Sequence, residues 1–324
     1  MKPSVVDRVA TAASEKIDVD ALAEPAQLKR VVRMDGAEVS ARLKSFAFST
    51  QAELSFSREG SAMRSSERTR IVHGDRDFSV ETVTGDGSEL KLAYVNDILF
   101  LKNNNGQWRV SRDPTGERNQ YLDNGMGIWG AFYDLVGAGL VVQRTGATTH
   151  AGRAAIGYAL QLPDKSGEAL AEGKNLPVPP QEVPDAGFTP EQQAEKKKLF
   201  ADRMARWRSR AKPAGGSGKL LVDEATGVML VVAFEGDVVV GDGPEPARLH
   251  VKIDQKITDV GRAQEIPVPK DAIEDVVRHK MPVDTRSILE EGGVVAPLPR
   301  DAGPGDSGRA GARRGEIPDD EESP

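Results

Sequence analysis

Gly125-Met126-Gly127-Ile128-Trp129-Gly130 has the GxGxxG spacing with which a glycine turn brings backbone N–H groups up to a dinucleotide pyrophosphate. That chemistry needs a preceding apolar strand, a parallel βαβ unit and an acidic residue about 20 positions on, and the chain supplies none of them. Gly218-Lys219 has the ending of a phosphate-binding loop, but Pro213 stands where its first glycine belongs and Leu220 where a hydroxyl would hold magnesium. Gly305-Asp306-Ser307-Gly308 repeats the nucleophile segment of chymotrypsin-like proteases inside a Gly/Pro-rich stretch that offers no oxyanion hole. His73, His150, His250 and His279 lack metal-ligand spacing, cysteine is absent, and no carboxylate pair stands out. The expectation is therefore a protein without catalytic residues, metal or cofactor. A hydrolase assembled from residues distant in sequence is a third reading.

The apolar residues remain. Phe48, Leu54, Phe56, Leu92, Tyr94, Phe100, Ile156, Tyr158 and Leu160 are expected on one sheet face, with Trp129, Phe132 and Tyr133 on a glycine-loosened apolar stripe that covers it. Enclosed between them, an apolar cavity would hold acyl chains. A dry site contributes about 0.8 kcal/mol per buried CH₂, so a long chain draws on the order of 10 kcal/mol from it. The alternative is an interaction or regulatory module whose core is filled by its own side chains. A second candidate surface is a basic amphipathic helix carrying Lys196, Lys197, Lys198 and Arg203, with Phe200 and Trp207 on its other side. It suits an anionic bilayer or an acidic partner, or packing against the domain and its acidic tail.

These residues need elements to position them. Residues 1–25 read as a flexible leader. Leu28, Val31, Val32, Val39 and Leu43 recur at helical spacing with Gly36 as a weak point, so one interrupted helix is expected. From Phe46 the period changes to two, and Phe46, Phe48, Thr50, Ala52, Leu54 and Phe56 share a face. Strands follow at 61–72, 78–84, 89–95, 98–102 and 107–111, and again at 154–162, 219–223, 228–236 and 247–258, punctuated by Gly, Asn and Asp turns. Tyr121 to Leu140 reads as a bendable apolar helix or a pair of helices. One domain is expected over 26–290, with an insertion at 163–218 and a disordered Gly/Pro/charged tail at 291–324.

The net charge of −7, with 29% charged residues, argues against a general nucleic-acid binder. No window reaches the roughly 18 to 20 apolar residues of a membrane-spanning helix. The first residues, Met1-Lys2-Pro3-Ser4-Val5-Val6-Asp7-Arg8, lack the apolar run of a signal peptide, so the expectation is a cytosolic protein or one whose export signal has been removed.

The meander ending in Leu90-Lys91-Leu92-Ala93-Tyr94-Val95-Asn96-Asp97-Ile98-Leu99-Phe100-Leu101-Lys102 and Gly106-Gln107-Trp108-Arg109-Val110, followed by apolar helices, resembles the LolA/LppX-like lipoprotein and lipid carriers of bacterial envelopes. His150-Ala151-Gly152-Arg153-Ala154-Ala155-Ile156-Gly157-Tyr158-Ala159-Leu160 is similar to their strand after the helical lid. Gly218 to Leu230, with Asp223 and Thr226-Gly227 making the turn, is similar to their recurrent hairpin. The resemblance implies an α+β, mainly antiparallel fold, an unclosed half β-barrel wrapped over lid helices. It also implies a periplasmic location with or without a lipid anchor, a lipid or acylated-protein ligand, and an envelope membrane or membrane-protein partner.

Overall fold

Alternation of apolar and polar residues makes long two-faced strands here, and hairpin turns rich in Gly, Asn and Asp return each strand beside the last. The computed structural model describes residues 12–58, 61–104, 106–111, 117–136, 139–165, 210–240, 246–262 and 264–274. Its strands are β1 (Phe46–Arg58), β2 (Ser61–His73), β3 (Phe78–Thr84), β4 (Glu89–Val95), β5 (Ile98–Asn103), β6 (Arg109–Ser111), β7 (Val141–His150), β8 (Arg153–Asp164), β9 (Ala211–Asp223), β10 (Met229–Val240), β11 (Ala247–Thr258) and β12 (Ile273–Glu274). They form one twelve-stranded sheet in the order β12-β6-β5-β4-β3-β2-β1-β11-β10-β9-β8-β7. Two meanders thus meet where β1 pairs antiparallel with β11, from Ala47 opposite Thr258 to Ser57 opposite Arg248. Only β12 runs parallel to its neighbour, β6. The edge strands β7 and β12 do not pair with each other, so the sheet is an unclosed half-barrel, the α+β architecture the resemblance implies.

Among the described residues four α-helices lie on the inner face: α1 (Pro25–Val32), α2 (Gly36–Leu43), α3 (Glu117–Met126) and α4 (Ile128–Val136). The expected single helix over Leu28 to Leu43 is two, because Asp35 caps the second: its carboxylate accepts from the Glu38 N–H at 2.7 Å. The expected helix pair after Tyr121 divides at Gly127. The GxGxxG segment is that joint, and Gly218-Lys219 lies within β9.

Three further expectations need correction. Residues 12–22 of the expected leader are packed: Ile17, Val19 and Leu22 are buried, the Tyr158 hydroxyl donates to the Val19 carbonyl, and Arg42 donates to the Ala12 and Glu15 carbonyls. Strand β7 was not expected; it is an exposed edge with a bulge between Arg144 and Gly146, which erases the alternation that marks a half-buried strand. The expected insertion ends early, since β9 starts at Ala211 and the Lys165 N–H donates to the Pro213 carbonyl at 2.7 Å. The stretch Pro213-Ala214-Gly215-Gly216-Ser217-Gly218 is strand because it pairs with β8 on one side and β10 on the other, and its glycines leave room for the Phe234 ring of β10. A Cβ on Gly218 would sit 2.3 Å from the Ala233 carbonyl oxygen and 2.9 Å from Phe234 Cα. The expected basic helix, the tail at 291–324, His279 and the Gly305 to Gly308 motif fall outside the described residues.

Candidate ligand-binding face

The inner face is apolar in two patches. One joins Val39, Leu43, Phe46, Phe48, Ile71, Phe78, Val80, Leu92, Tyr94 and Ile257 with Tyr121 and Leu122 of α3. The other joins Ala52, Leu54, Ile156, Tyr158, Leu160, Phe234, Val251 and Ile253 with Trp129, Phe132, Tyr133 and Val136 of α4. Nearly all the lining residues expected from sequence are therefore here, with Phe56 half-buried at the margin of the second patch. Phe100 is the exception. It pairs with Ala93 on β4 and packs with Ala93, Val95 and Ile266 on the outer face, while its neighbours Leu99 and Leu101 face inward. Residues 264–272 return across this part of the outer face, so β4 and β5 are buried on both sides and their sequence does not reveal which side is which. Phe234, which sequence reasoning passed over, is central: its ring centroid lies 5.5 Å from Trp129 and 5.3 Å from Phe132. The three glycines beneath it, Gly216, Gly218 and Gly236, were the available signal.

The lid formed by α3 and α4 is held by side chains rather than by strand pairing. Arg118 lies 4.7 Å over the Tyr94 ring and donates to its hydroxyl, which donates in turn to Asp97 at 2.9 Å. The Asp123 carboxylate accepts from the Gly36 N–H at 2.7 Å, and Asp134 pairs with Arg33. At Gly125 the lid touches the sheet so closely that a Cβ would lie 3.0 Å from Ile71 Cδ1 and 3.2 Å from Thr69 Cγ2. Burial pushes the Tyr94, Tyr133 and Tyr158 phenols above their ordinary range, so all three stay neutral hydrogen-bonding groups.

Elsewhere the titratable groups serve the frame. His73 is stacked between Phe46 and Phe78 at 5.1 and 6.0 Å, and its Nδ1 donates to the Lys44 carbonyl at 3.0 Å. Burial holds its imidazole below the usual range. His150 bonds the Ile257 carbonyl at 2.8 Å, and His250 bonds Asp237 at 3.0 Å on the exposed face. Asp223 accepts from Arg153 twice at 2.7 Å and from the Thr226 N–H and hydroxyl at 3.0 and 2.6 Å, which fixes the β9–β10 turn. Among the described residues no group of His, Asp and Glu is placed to hold a metal ion, and no helix is long and apolar enough to cross a membrane. The outer face carries a wet groove of 410 Å³ lined by Ser49, Gln51, Glu53, Arg68, Lys252, Asp254 and Lys256, whose charges are mixed.

No family model and no curated protein matches the chain. Among solved structures it is similar to LprF from Mycobacterium bovis, at 10% identity and a TM-score of 0.29, over 75% of this chain and 97% of that one. It is also similar to the lipoprotein LppX of Mycobacterium tuberculosis, at 9% identity and a TM-score of 0.26, over 75% and 100%. A LolA-superfamily protein from Nitrosomonas europaea matches at 6% identity and a TM-score of 0.20, over 78% and 96%.

Proposed function

We propose that the protein is a cell-envelope carrier or sensor that holds the acyl chains of a lipid or lipoprotein between the inner sheet face and the α3–α4 lid. The observation that carries this reading is the construction of the cover. A broad apolar face is closed by two short helices joined at Gly127 and tethered by side chains, so the cover can lift without breaking the sheet. An entering chain replaces Trp129, Phe132 and Tyr133 against Phe48, Leu54, Leu92, Ile156 and Leu160. Tyr94 on β4 and Tyr158 on β8 lie on this face. The protein acts by binding and release, with no chemistry at the site. The envelope location rests on the sequence resemblance, whereas contact of Lys196, Lys197, Lys198, Phe200, Arg203 and Trp207 with an anionic membrane or an acidic partner rests on the basic, amphipathic pattern of that segment.

A second reading is favoured by one specific observation: Trp129, Phe132 and Phe234 pack on one another at 1%, 0% and 3% exposure, as in a filled core. A module of that kind binds a protein partner and no lipid. Organic extraction and mass spectrometry of protein purified without detergent from an export-competent bacterium separates the two. Stoichiometric phospholipid or acylated species is the expected result, and a ligand-free protein overturns the carrier reading.

A further inference from the structure

Between its two apolar patches the inner face has a polar interruption that a plain core does not require. The inner residues of β1 run Phe46, Phe48, Thr50, Ala52, Leu54, and those of β11 run Ile257, Gln255, Ile253, Val251. Register places Gln255 opposite Thr50, Thr50 opposite Thr69 and Thr69 opposite Thr82. Four adjacent strands thus carry one polar row, about 14 Å wide at the usual strand spacing. Leu90, opposite Thr82, and Val232, opposite Gln255, end it. All four side chains are at most 4% exposed. Phe48 and Ile257 flank Thr50 and Gln255 on one side and Ala52 and Ile253 on the other, whereas beside Thr69 and Thr82 lie the buried Glu67 and Thr84.

The two halves of the row differ. Thr69 donates to the Glu67 carboxylate at 2.9 Å and lies 3.0 Å from the Thr82 hydroxyl. A hydroxyl has one proton, so Thr82 donates to Thr69, and that half is closed on itself. In the other half Thr50 Oγ1 and Gln255 Oε1 are buried side by side without a partner. Trp129 Nε1 is a third such atom, and its ring packs at a tilt against Phe234, which pairs with Ile253 one inner-face step from Gln255. Unpaired buried groups destabilise a fold, whereas Val and Leu fill the same space without that cost.

We infer that Thr50 and Gln255 receive a hydroxyl carried within the apolar chain of the ligand, so that its two apolar arms lie on the two patches. A hydroxyl fits because it donates to the Gln255 oxygen while accepting from Thr50 or from the Trp129 N–H; an ester or ketone has no proton for Gln255. The inference rests on the carrier reading and narrows it to chains with a mid-chain hydroxyl.

The test measures affinities of the full chain, delipidated, for octadecanoate and for its mid-chain hydroxy derivative, each by calorimetric titration. The hydroxylated chain is expected to bind about tenfold more tightly, the gain of one to two net hydrogen bonds. Thr50→Val combined with Gln255→Leu is expected to equalise the two affinities and to raise or preserve the unfolding midpoint. Thr50→Ser, which keeps the hydroxyl, keeps the preference and covers the case in which the double variant fails to fold. Equal binding of both probes to the unmodified protein overturns this inference and leaves the carrier reading standing. A preference that survives the double variant overturns it as well. Binding of neither probe overturns both.

Discussion

Replacing Trp129 by Ala tests whether the lid is packed as the structure shows. The indole is 1% exposed and touches the Phe132 and Phe234 rings at 5.9 and 5.5 Å between centroids. Truncating a buried Trp costs about 3–5 kcal/mol. One contribution runs the other way: the indole N–H has no partner, and removing a buried unpaired donor returns about 1–3 kcal/mol. The expected net loss, from the midpoints of the two ranges, is about 2 kcal/mol. For a domain of this size that lowers the melting temperature by roughly 4–8 °C. Trp129→Phe keeps most of the ring contact and removes the donor, so its cost is expected to stay within about 1 kcal/mol. The assay is equilibrium urea unfolding followed by circular dichroism, with slope and midpoint fitted separately. A loss below about 0.5 kcal/mol in the alanine variant would show that the indole is not part of a packed aromatic cluster. Equal losses in both variants would show that its N–H is satisfied, and would remove one of the three orphan groups from the argument above.

Asp223→Ala leaves Arg153 and the Thr226 turn without their shared acceptor and should cost about 3–5 kcal/mol in the same assay, far more than Asp223→Asn. Burial of that carboxyl opposes its charge, but the bonds from Arg153 and Thr226 prevail and depress its pKa. Its contribution is therefore present above the ordinary carboxylate range and is lost as pH falls through it, a slope that the asparagine variant should lack. His73 behaves with the same sign in a higher window. Desolvation lowers its pKa, so the unfolded chain binds the proton more readily, and stability is full above about pH 6.5 and falls below it. His73→Phe, which keeps the stack, should flatten the stability profile between about pH 6.5 and 5; an unchanged profile would refute the assignment. Gly125→Val places carbon 3.0 Å from Ile71 and 3.2 Å from Thr69 and should cost about 1–3 kcal/mol, with faster amide exchange confined to α3 and α4.

The fold was legible wherever one strand face is wet. From Phe46 to Arg58 and from Ala247 to Thr258 the alternation gives both the strand and its buried side. It failed where that premise fails. Phe100 sits in a strand covered on both faces, so period two carries no sidedness, and β7 is exposed on both faces and bulged. The Pro213 to Gly218 stretch reads as a linker by composition, because what makes it strand is pairing with β8 and β10, neighbours that only the fold brings to its two sides. The site shows the same limit. Its apolar members were readable as a face, but Thr50 and Gln255 look like ordinary alternation until register sets them side by side, buried and unpaired.

If the protein is the carrier proposed above, the packing of the lid constrains where loading can take place. Trp129, Phe132 and Tyr133 are buried at 1%, 0% and 6% exposure. At about 200 Å² per aromatic and 25 cal/mol per Å², lifting all three into water costs on the order of 15 kcal/mol. A sixteen-carbon chain burying in their place returns about 13 kcal/mol, but only after it has arrived. Opening in bulk water ahead of the ligand is therefore populated too rarely to support transfer, whereas opening against a bilayer keeps both the lid and the chain out of water throughout. Transfer is expected to be collisional. With the protein loaded and a fluorescent acyl probe as reporter, the transfer rate should rise in proportion to acceptor vesicle concentration, and more steeply for anionic vesicles if the basic segment around Lys196 to Arg203 makes first contact. A rate independent of vesicle concentration would mean that the chain leaves through water, and that the lid opens far more cheaply than its packing implies.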